Sequence, residues 1–82
     1  MPKLKATHQR EPGPLRRILR IRQVEAVTGK KESSIYEAIA AGSFPAPVPI
    51  GPRAVGWLED ELAAWQEQQI KERERRREEH AA

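Results

Sequence analysis

Polar and charged side chains that suit phosphate and base recognition cluster within eight residues near the middle of the chain. The cluster spans an expected turn and the start of an expected helix, and it consists of Lys30, Lys31, Ser33, Ser34, Tyr36 and Glu37. Hydroxyls near a helix N-terminus can donate to phosphates or base edges, and lysines pair with phosphates. We therefore expect this segment to contact DNA. Under the alternative interpretation, Ser33 only caps the helix and the lysines are only solvated.

Arg53 is a further candidate contact, outside that cluster. It lies between Pro52 and Ala54, and it is the single basic residue from position 32 to position 70. The segment 51–54 is predicted to be the turn of a hairpin, and such turns face solvent. The guanidinium is therefore expected to reach the neighbouring DNA backbone or minor groove.

The residue types needed for catalysis or metal binding are not arranged for either. His8 and His80 lie in the terminal segments, away from triad partners or metal-ligand spacing, and the chain has no cysteine. Acids at residues 59–61 are explained by the electrostatics of a helix N-terminus. The five glycines lie at separate turns rather than in a phosphate-binding loop. The sequence thus predicts a protein without enzyme activity, cofactor or metal.

Two short helices and a hairpin must position the candidate contacts. The first helix, residues 23–28, is expected to be closed by Gly29, and the second, residues 32–41, by Gly42, because glycine readily adopts the left-handed conformation. Apolar residues then alternate on two strands, with Val48 and Ile50 on one and Val55 and Trp57 on the other. A strand at residues 18–20 is favoured over a helical turn, because the hairpin needs a pairing partner.

That order of elements predicts a mainly α protein with a small β-hairpin wing, a winged helix-turn-helix. Residues 1–14 are expected to form a disordered basic arm, and residues 15–70 the winged helix-turn-helix domain. A third helix should run from residue 59 to at least residue 70. Residues 71–82 are expected to form a charged helical extension or a tail.

The charge is modest overall but unevenly distributed. The net charge is +3, yet residues 1–31 carry nine basic and two acidic side chains, whereas residues 32–70 carry one basic and six acidic. A concentrated basic segment attracts phosphates through counterion release; the alternative is that this segment only improves solubility. No apolar run approaches the length of a signal peptide or a membrane span. A cytoplasmic protein that does not contact membranes is expected.

Aromatic residues are assigned mainly to the core. The spacing of Trp57 and Trp65 relative to aliphatic neighbours favours packing over base stacking, and Phe44 is expected to anchor the exit of the second helix. Tyr36 is left open between packing and phosphate contact. The other expected core positions are Leu15, Ile18, Leu19, Ile21, Val24, Val27, Ile35, Ile39, Leu58 and Leu62.

The segment from Leu19 to Trp65 resembles the AlpA family of phage and prophage regulators, which is related to small excisionases and to MerR-like winged-helix domains. The resemblance rests on TGKKESSIYEAIAAGSFPAPV, in which a glycine turn precedes Ser-Ser-Ile-Tyr and a Gly-x-Phe-Pro step follows. It continues through IGPRAVGWLEDELAAW, in which the wing arginine precedes Gly-Trp and a second tryptophan follows eight residues later. The resemblance implies that the second helix is the recognition helix and the 51–54 turn the wing.

Two departures from the family pattern affect the expected interface. The family commonly has serine and arginine where this chain has Lys31 and Glu32, and arginine where it has Glu37. A lost serine N-cap costs about 0.5–2 kcal/mol unless another group caps the helix. Acids facing DNA repel phosphates, although Glu37 can instead accept a hydrogen bond from a cytosine amino group.

Three hypotheses about function follow. The first is a sequence-specific DNA-binding transcriptional regulator from a prophage or another mobile element, acting on double-stranded DNA as a homodimer or cooperative multimer. The second is an excisionase-like recombination directionality factor that bends DNA and directs an integrase. The third is a protein-interaction module without DNA binding, whose long C-terminal helix engages a partner.

Overall fold

The computed structural model describes residues 11–81, which form three helices and a small antiparallel sheet. The elements are β1 (Ile18–Leu19), α1 (Ile21–Thr28), α2 (Glu32–Ala40), β2 (Val48–Gly51), β3 (Ala54–Leu58) and α3 (Glu59–Ala81). The strand order is β1-β3-β2. The predicted winged helix-turn-helix architecture is confirmed.

The core lies where α1, α2 and the start of α3 meet the sheet. Its buried members are Leu19, Val24, Ile35, Phe44, Trp57 and Leu62. Trp57 is fully buried, and its indole Nε1 donates a hydrogen bond to the carbonyl oxygen of Pro45 at 3.0 Å. Phe44 and Trp65 meet edge to face with ring centroids 5.0 Å apart. The predicted packing roles of these aromatic residues are confirmed.

The ends of α1 and α2 differ slightly from the sequence prediction. α1 begins two residues earlier, at Ile21, and the Gln23 side chain accepts a hydrogen bond from the backbone N–H of Arg20 at 2.8 Å. α2 ends at Ala40 because Gly42 takes a left-handed conformation (φ 80°), and the amide after it bonds back to the carbonyl of Ala38 at 2.9 Å. Both helices therefore keep their predicted identity.

Three expected core positions, Leu15, Ile18 and Val27, lie at the surface, and Ile18 is the least exposed of them at 37%. Val27 is 51% exposed, because α1 turns Val24 fully inward and leaves Val27 at the rim of a groove against α3. Leu15 is completely exposed, since it precedes the first strand and packs on none of the elements described. The folded core therefore begins with β1 rather than at Leu15.

The first strand forms where it is predicted but ends one residue earlier, at Leu19. Its pairing depends on a glycine. Ile18 pairs with Leu58 and Leu19 with Trp57. A Cβ on Gly56 would lie 2.2 Å from Cγ2 of Ile18 and 3.1 Å from the backbone oxygen of Leu19. β1 can therefore lie against β3 only because position 56 has no side chain.

The third helix is longer than its predicted minimum and includes the charged extension. It runs unbroken through Ala81, and Leu62 is its one fully packed residue. Two ion pairs between residues four apart form within it, Arg76 with Glu72 at 3.1 Å and Arg75 with Glu79. Of the predicted arm, residues 11–14 are exposed and lack regular secondary structure, and residues 1–10 lie outside the described range.

Replacing Gly56 by alanine should lower the free energy of unfolding by about 1–3 kcal/mol, the usual cost of overpacking. The matched control is Gly51→Ala, whose new Cβ would meet Ala54 at an ordinary 3.7 Å. Denaturant unfolding of both variants measures the difference. Two equally small changes would show that β1 does not pack over position 56.

Candidate nucleic-acid interface

The turn between α1 and α2 is fixed by a left-handed glycine and a threonine. Gly29 has φ 76°, and its N–H donates to the carbonyl of Glu25 at 2.8 Å. The hydroxyl of Thr28 donates to the carbonyl of Val24 at 2.7 Å and accepts from the N–H of Lys30 at 3.2 Å. These bonds leave little freedom in the turn, so they set the direction in which α2 leaves α1.

The N-terminus of α2 is capped from the neighbouring helix. Lys31 occupies the N-cap position with an extended backbone and provides no side-chain cap. Instead, the Glu25 carboxylate of α1 accepts a hydrogen bond from the N–H of Glu32 at 2.8 Å. The cap that the side chain at position 31 does not provide is therefore supplied by Glu25, which lies seven residues before Glu32 and across the turn.

Arg22 holds this capping carboxylate in place. Its guanidinium lies 2.8 Å from one Glu25 oxygen and 3.4 Å from a carboxylate oxygen of Glu32. The hydrogen bond from Arg22, together with the one from the N–H of Glu32, lowers the pKa of Glu25 below its ordinary value. The result is a charged cluster that joins α1 to the first turn of α2.

Sequence reasoning missed this cluster. Its local signal was the three-residue spacing of Arg22 and Glu25, which favours a pair on one helix face. The contact with the N–H of Glu32 depends on the turn geometry, which that spacing does not specify. The cluster also compensates the negative charge of Glu32, because the Glu32 carboxylate lies beside the Arg22 guanidinium.

The outward face of α2 carries a single charge, that of Glu37. Ile35 is fully buried, with Ala38 and Ile39 partly buried beside it. The opposite face exposes Ser33, Tyr36, Glu37 and Ala40, whereas Ser34 is half-buried. Three of the predicted contact residues thus share one solvent-facing surface, and Ser34 lies at its margin.

Tyr36, which the sequence left open between packing and phosphate contact, packs on the core and stays partly exposed. Its ring packs edge to face on Trp57, with centroids 6.0 Å apart. The side chain nevertheless remains 42% exposed, at the edge of the outward face of α2. Packing fixes the ring while leaving part of it accessible to a ligand.

Arg53 lies at the exposed tip of the β2–β3 hairpin, in a two-residue turn with Pro52. The hairpin contains an irregularity between Pro49 and Gly51 next to this turn. Within residues 11–81, Arg53 forms no ion pair with an acidic side chain. The wing therefore presents a positive charge that no acidic side chain in this range compensates. This charge lies on a different element from the candidate contacts of α2.

Part of the basic N-terminal segment is neutralised by α3. Arg16 forms a bidentate contact with Asp60, at 2.9 and 3.3 Å, and lies 3.8 Å from Glu61. Arg17 lies 3.6 Å from Glu59. The hydrogen bond from Arg16 lowers the pKa of Asp60. The acids at the start of α3 therefore serve both the helix dipole and the anchoring of the segment before β1.

Fewer basic side chains are free of ion pairs than the number of basic residues in the sequence suggests. In the part of the domain from position 11 to position 58, the basic side chains without an ion pair are Arg20, Lys30, Lys31 and Arg53. Lys31 is exposed and Lys30 half-buried, both next to the N-terminus of α2. Lys30, Lys31 and Arg53 coincide with the basic residues selected from the sequence.

Neither a metal centre nor a membrane span was found in the described part of the chain. Residues 11–81 contain no group of three or more histidine, cysteine or acidic side chains placed to hold a metal ion. None of the helices in that range is long and apolar enough to cross a bilayer.

Comparison with known proteins gives two matches. The family model described as Prophage CP4-57 regulatory protein (AlpA) matches residues 17–70, which include both helices of the helix-turn-helix, the wing and the start of α3. The chain is also 41% identical, over 59 residues, to the uncharacterised protein ORF88 of Enterobacteria phage P4; this match covers 72% of the chain and 67% of ORF88. No solved structure matches the chain.

Glu25→Gln should lower the melting temperature by a few degrees at neutral pH, because an amide is a weaker cap and a weaker partner for Arg22. The folded-state pKa of Glu25 lies below its ordinary value of 4.5, so its contribution is complete above that value. It is lost as the pH falls through the folded-state pKa. The difference in melting temperature between wild type and variant should therefore shrink on acidification.

Thermal unfolding of both proteins from neutral to acidic pH measures this difference. Glu37→Gln is the control, because Glu37 is exposed and pairs with no basic side chain in the described range. A wild-type-to-variant difference that stays constant with pH would contradict a role for the Glu25 charge.

Proposed function

We propose that this chain, which belongs to the AlpA family of prophage regulatory proteins, binds specific sequences of double-stranded DNA and regulates transcription. The proposal rests on one observation above all. α2 is held by α1 and the core, while its opposite face carries hydrogen-bonding side chains exposed to solvent. A helix presented in this way fits the major groove, which is about 12 Å wide.

Each candidate residue receives a role from its place. Ser33, Tyr36 and Glu37 on the outward face of α2 read base edges or contact the flanking phosphates. Lys30 and Lys31 in the turn contact the DNA backbone, as does half-buried Ser34 near the start of α2. Arg53 at the tip of the wing reaches the neighbouring backbone or minor groove. Phosphate contacts fix the register of the protein, and base contacts give it specificity.

Glu37 is the acid that remains to be explained in such a complex. Glu32 is compensated by Arg22 at 3.4 Å, whereas Glu37 has no basic partner between positions 11 and 81. An uncompensated carboxylate in the groove would repel phosphates unless it accepts a hydrogen bond. Cytosine presents an amino donor in the major groove, so we assign Glu37 to a cytosine.

A regulatory role is favoured over an accessory role in recombination by the description of the family, which names a regulatory protein. A factor that bends DNA for an integrase would use the same surface. Selection of bound sequences from random DNA with the purified protein tests sequence-specific binding directly. Recovery of no enriched sequence would contradict the proposal, and strong bending of the recovered DNA would favour the recombination role.

Arg53→Ala should weaken binding to all sequences and make the dependence of log K on log[salt] shallower by about one unit. The melting temperature should stay unchanged, because the side chain is exposed and unpaired within the described residues. Titrations at several salt concentrations, with thermal unfolding as the control, measure both effects. A collapse in stability with normal binding by the remaining folded protein would make Arg53 a structural residue.

Glu37→Gln should relax the preference at a single base pair by about 1–3 kcal/mol and leave the other positions of the site unchanged. Glu37→Arg distinguishes readout from simple repulsion, because repulsion predicts tighter binding of the arginine variant to every sequence. Competition between single-base variants of the selected site measures both. If neither substitution changes binding, α2 does not contact DNA.

A further inference from the structure

The second half of α3 extends beyond the packed domain. After Trp65, which packs on Phe44, each residue of the helix up to Ala81 is exposed except Glu72, which is half-buried. These sixteen residues are about 24 Å long at 1.5 Å per residue. No core contact in residues 11–81 explains why the helix continues so far.

Three of the four arginines of this extension lie on one face. Leu62, the buried residue of α3, is followed on the same helix face by Gln69, Arg73, Arg76 and His80, at steps of seven, four, three and four residues. Arg77 lies beside Arg73 and His80, four and three residues away. The face that is apolar over the domain therefore becomes cationic beyond it, and none of the glutamates of the extension lies on it.

The arginines of this face form ion pairs within the helix but stay exposed to solvent. Arg73 and Arg77 share Glu74, at 3.2 and 3.9 Å, and Arg76 contacts Glu72 at 3.1 Å. The three guanidinium side chains nevertheless remain 63%, 71% and 69% exposed in that order. Exposed pairs of this kind are weak and are screened by salt. The arginines can therefore leave their glutamate partners and bind an anion that attracts them more strongly.

We propose that this face, Arg73, Arg76, Arg77 and His80, is a second contact with the backbone of the DNA that α2 reads. The proposal rests on the proposed function. A protein partner is disfavoured, because the fully buried core of a stable protein interface is mostly apolar, whereas these four side chains are all polar or charged. The face is about 10 Å long from Arg73 to His80, and a duplex carries one charge per ~1.7 Å of its axis. More than one phosphate is therefore within its span.

The test compares two double variants of the full chain that remove equal charge from opposite faces of the same helix. Arg73→Gln with Arg77→Gln alters the proposed contact face. Lys71→Gln with Arg75→Gln alters the other side and is the matched control. Glutamine is a good helix former, and circular dichroism checks that α3 persists in both. The probe is a duplex recovered by selection from random DNA, extended at both ends.

The slope of log K against log[salt] should be smaller in magnitude by about two for the Arg73→Gln, Arg77→Gln variant. Each lost phosphate contact accounts for about 0.9 of that change. Over a fourfold rise in salt, wild type should then lose about tenfold more affinity than this variant. The Lys71 and Arg75 variant should keep the wild-type slope. Arg73→Lys with Arg77→Lys should restore most of the slope, because the charges are retained.

Equal slopes for the two glutamine variants would overturn the inference, because the change in slope would then depend only on the net charge of the protein. That result leaves the proposed function standing, since α2 and the wing would still bind. A wild-type protein that binds no DNA would instead overturn both. If the double glutamine variant loses helicity, the single variants Arg73→Gln and Arg77→Gln replace it, with Arg75→Gln as their control. Each should lower the magnitude of the slope by about 0.9, and wild-type slopes in both would overturn the inference.

Discussion

The burial of one indole ring holds the separate parts of this small domain together. Trp57 lies on the central strand β3, where it pairs with Leu19 of β1 and donates its N–H to the carbonyl of Pro45. Its ring meets Tyr36 of α2 edge to face. A single side chain thus links the sheet, the segment after α2 and the outward-facing helix. The hydrogen bond satisfies its polar atom, so its burial carries no unpaired donor.

Electrostatics in this domain are arranged to immobilise some charges and leave others exposed. Arg16 and Arg17 bind the acids that begin α3, and Arg22 binds the carboxylate that caps α2. Between positions 11 and 58, the cations that stay unpaired lie at helix starts, in the turn or at the wing tip. The charges proposed to contact phosphates are therefore kept apart from those that maintain the fold. This separation supports the proposed function, because ligand contacts need not disrupt internal pairs.

The sequence predicts the architecture well because its strongest signals are local. Gly29 and Gly42 end their helices in the left-handed conformation, and alternating residues define β2 and β3. The exact helix ends and the exposure of Val27 depend on tertiary packing, which a 3.6-residue period cannot resolve. The contact between Arg16 and Asp60 joins residues far apart in the chain. No short-range pattern announces such a pair.

For the candidate site, the sequence identified side chains but not what holds them. The placement of Ser33, Tyr36 and Glu37 on one face follows from helical spacing. The cap on α2 does not, because it comes from Glu25 across the turn. That arrangement separates the start of the helix from the side chains that the helix displays. The surface-exposed positions of α2 can therefore be exchanged, by an engineer or by divergence, while helix initiation stays encoded in α1. Under the proposed function, such exchanges would alter sequence preference without weakening the helix.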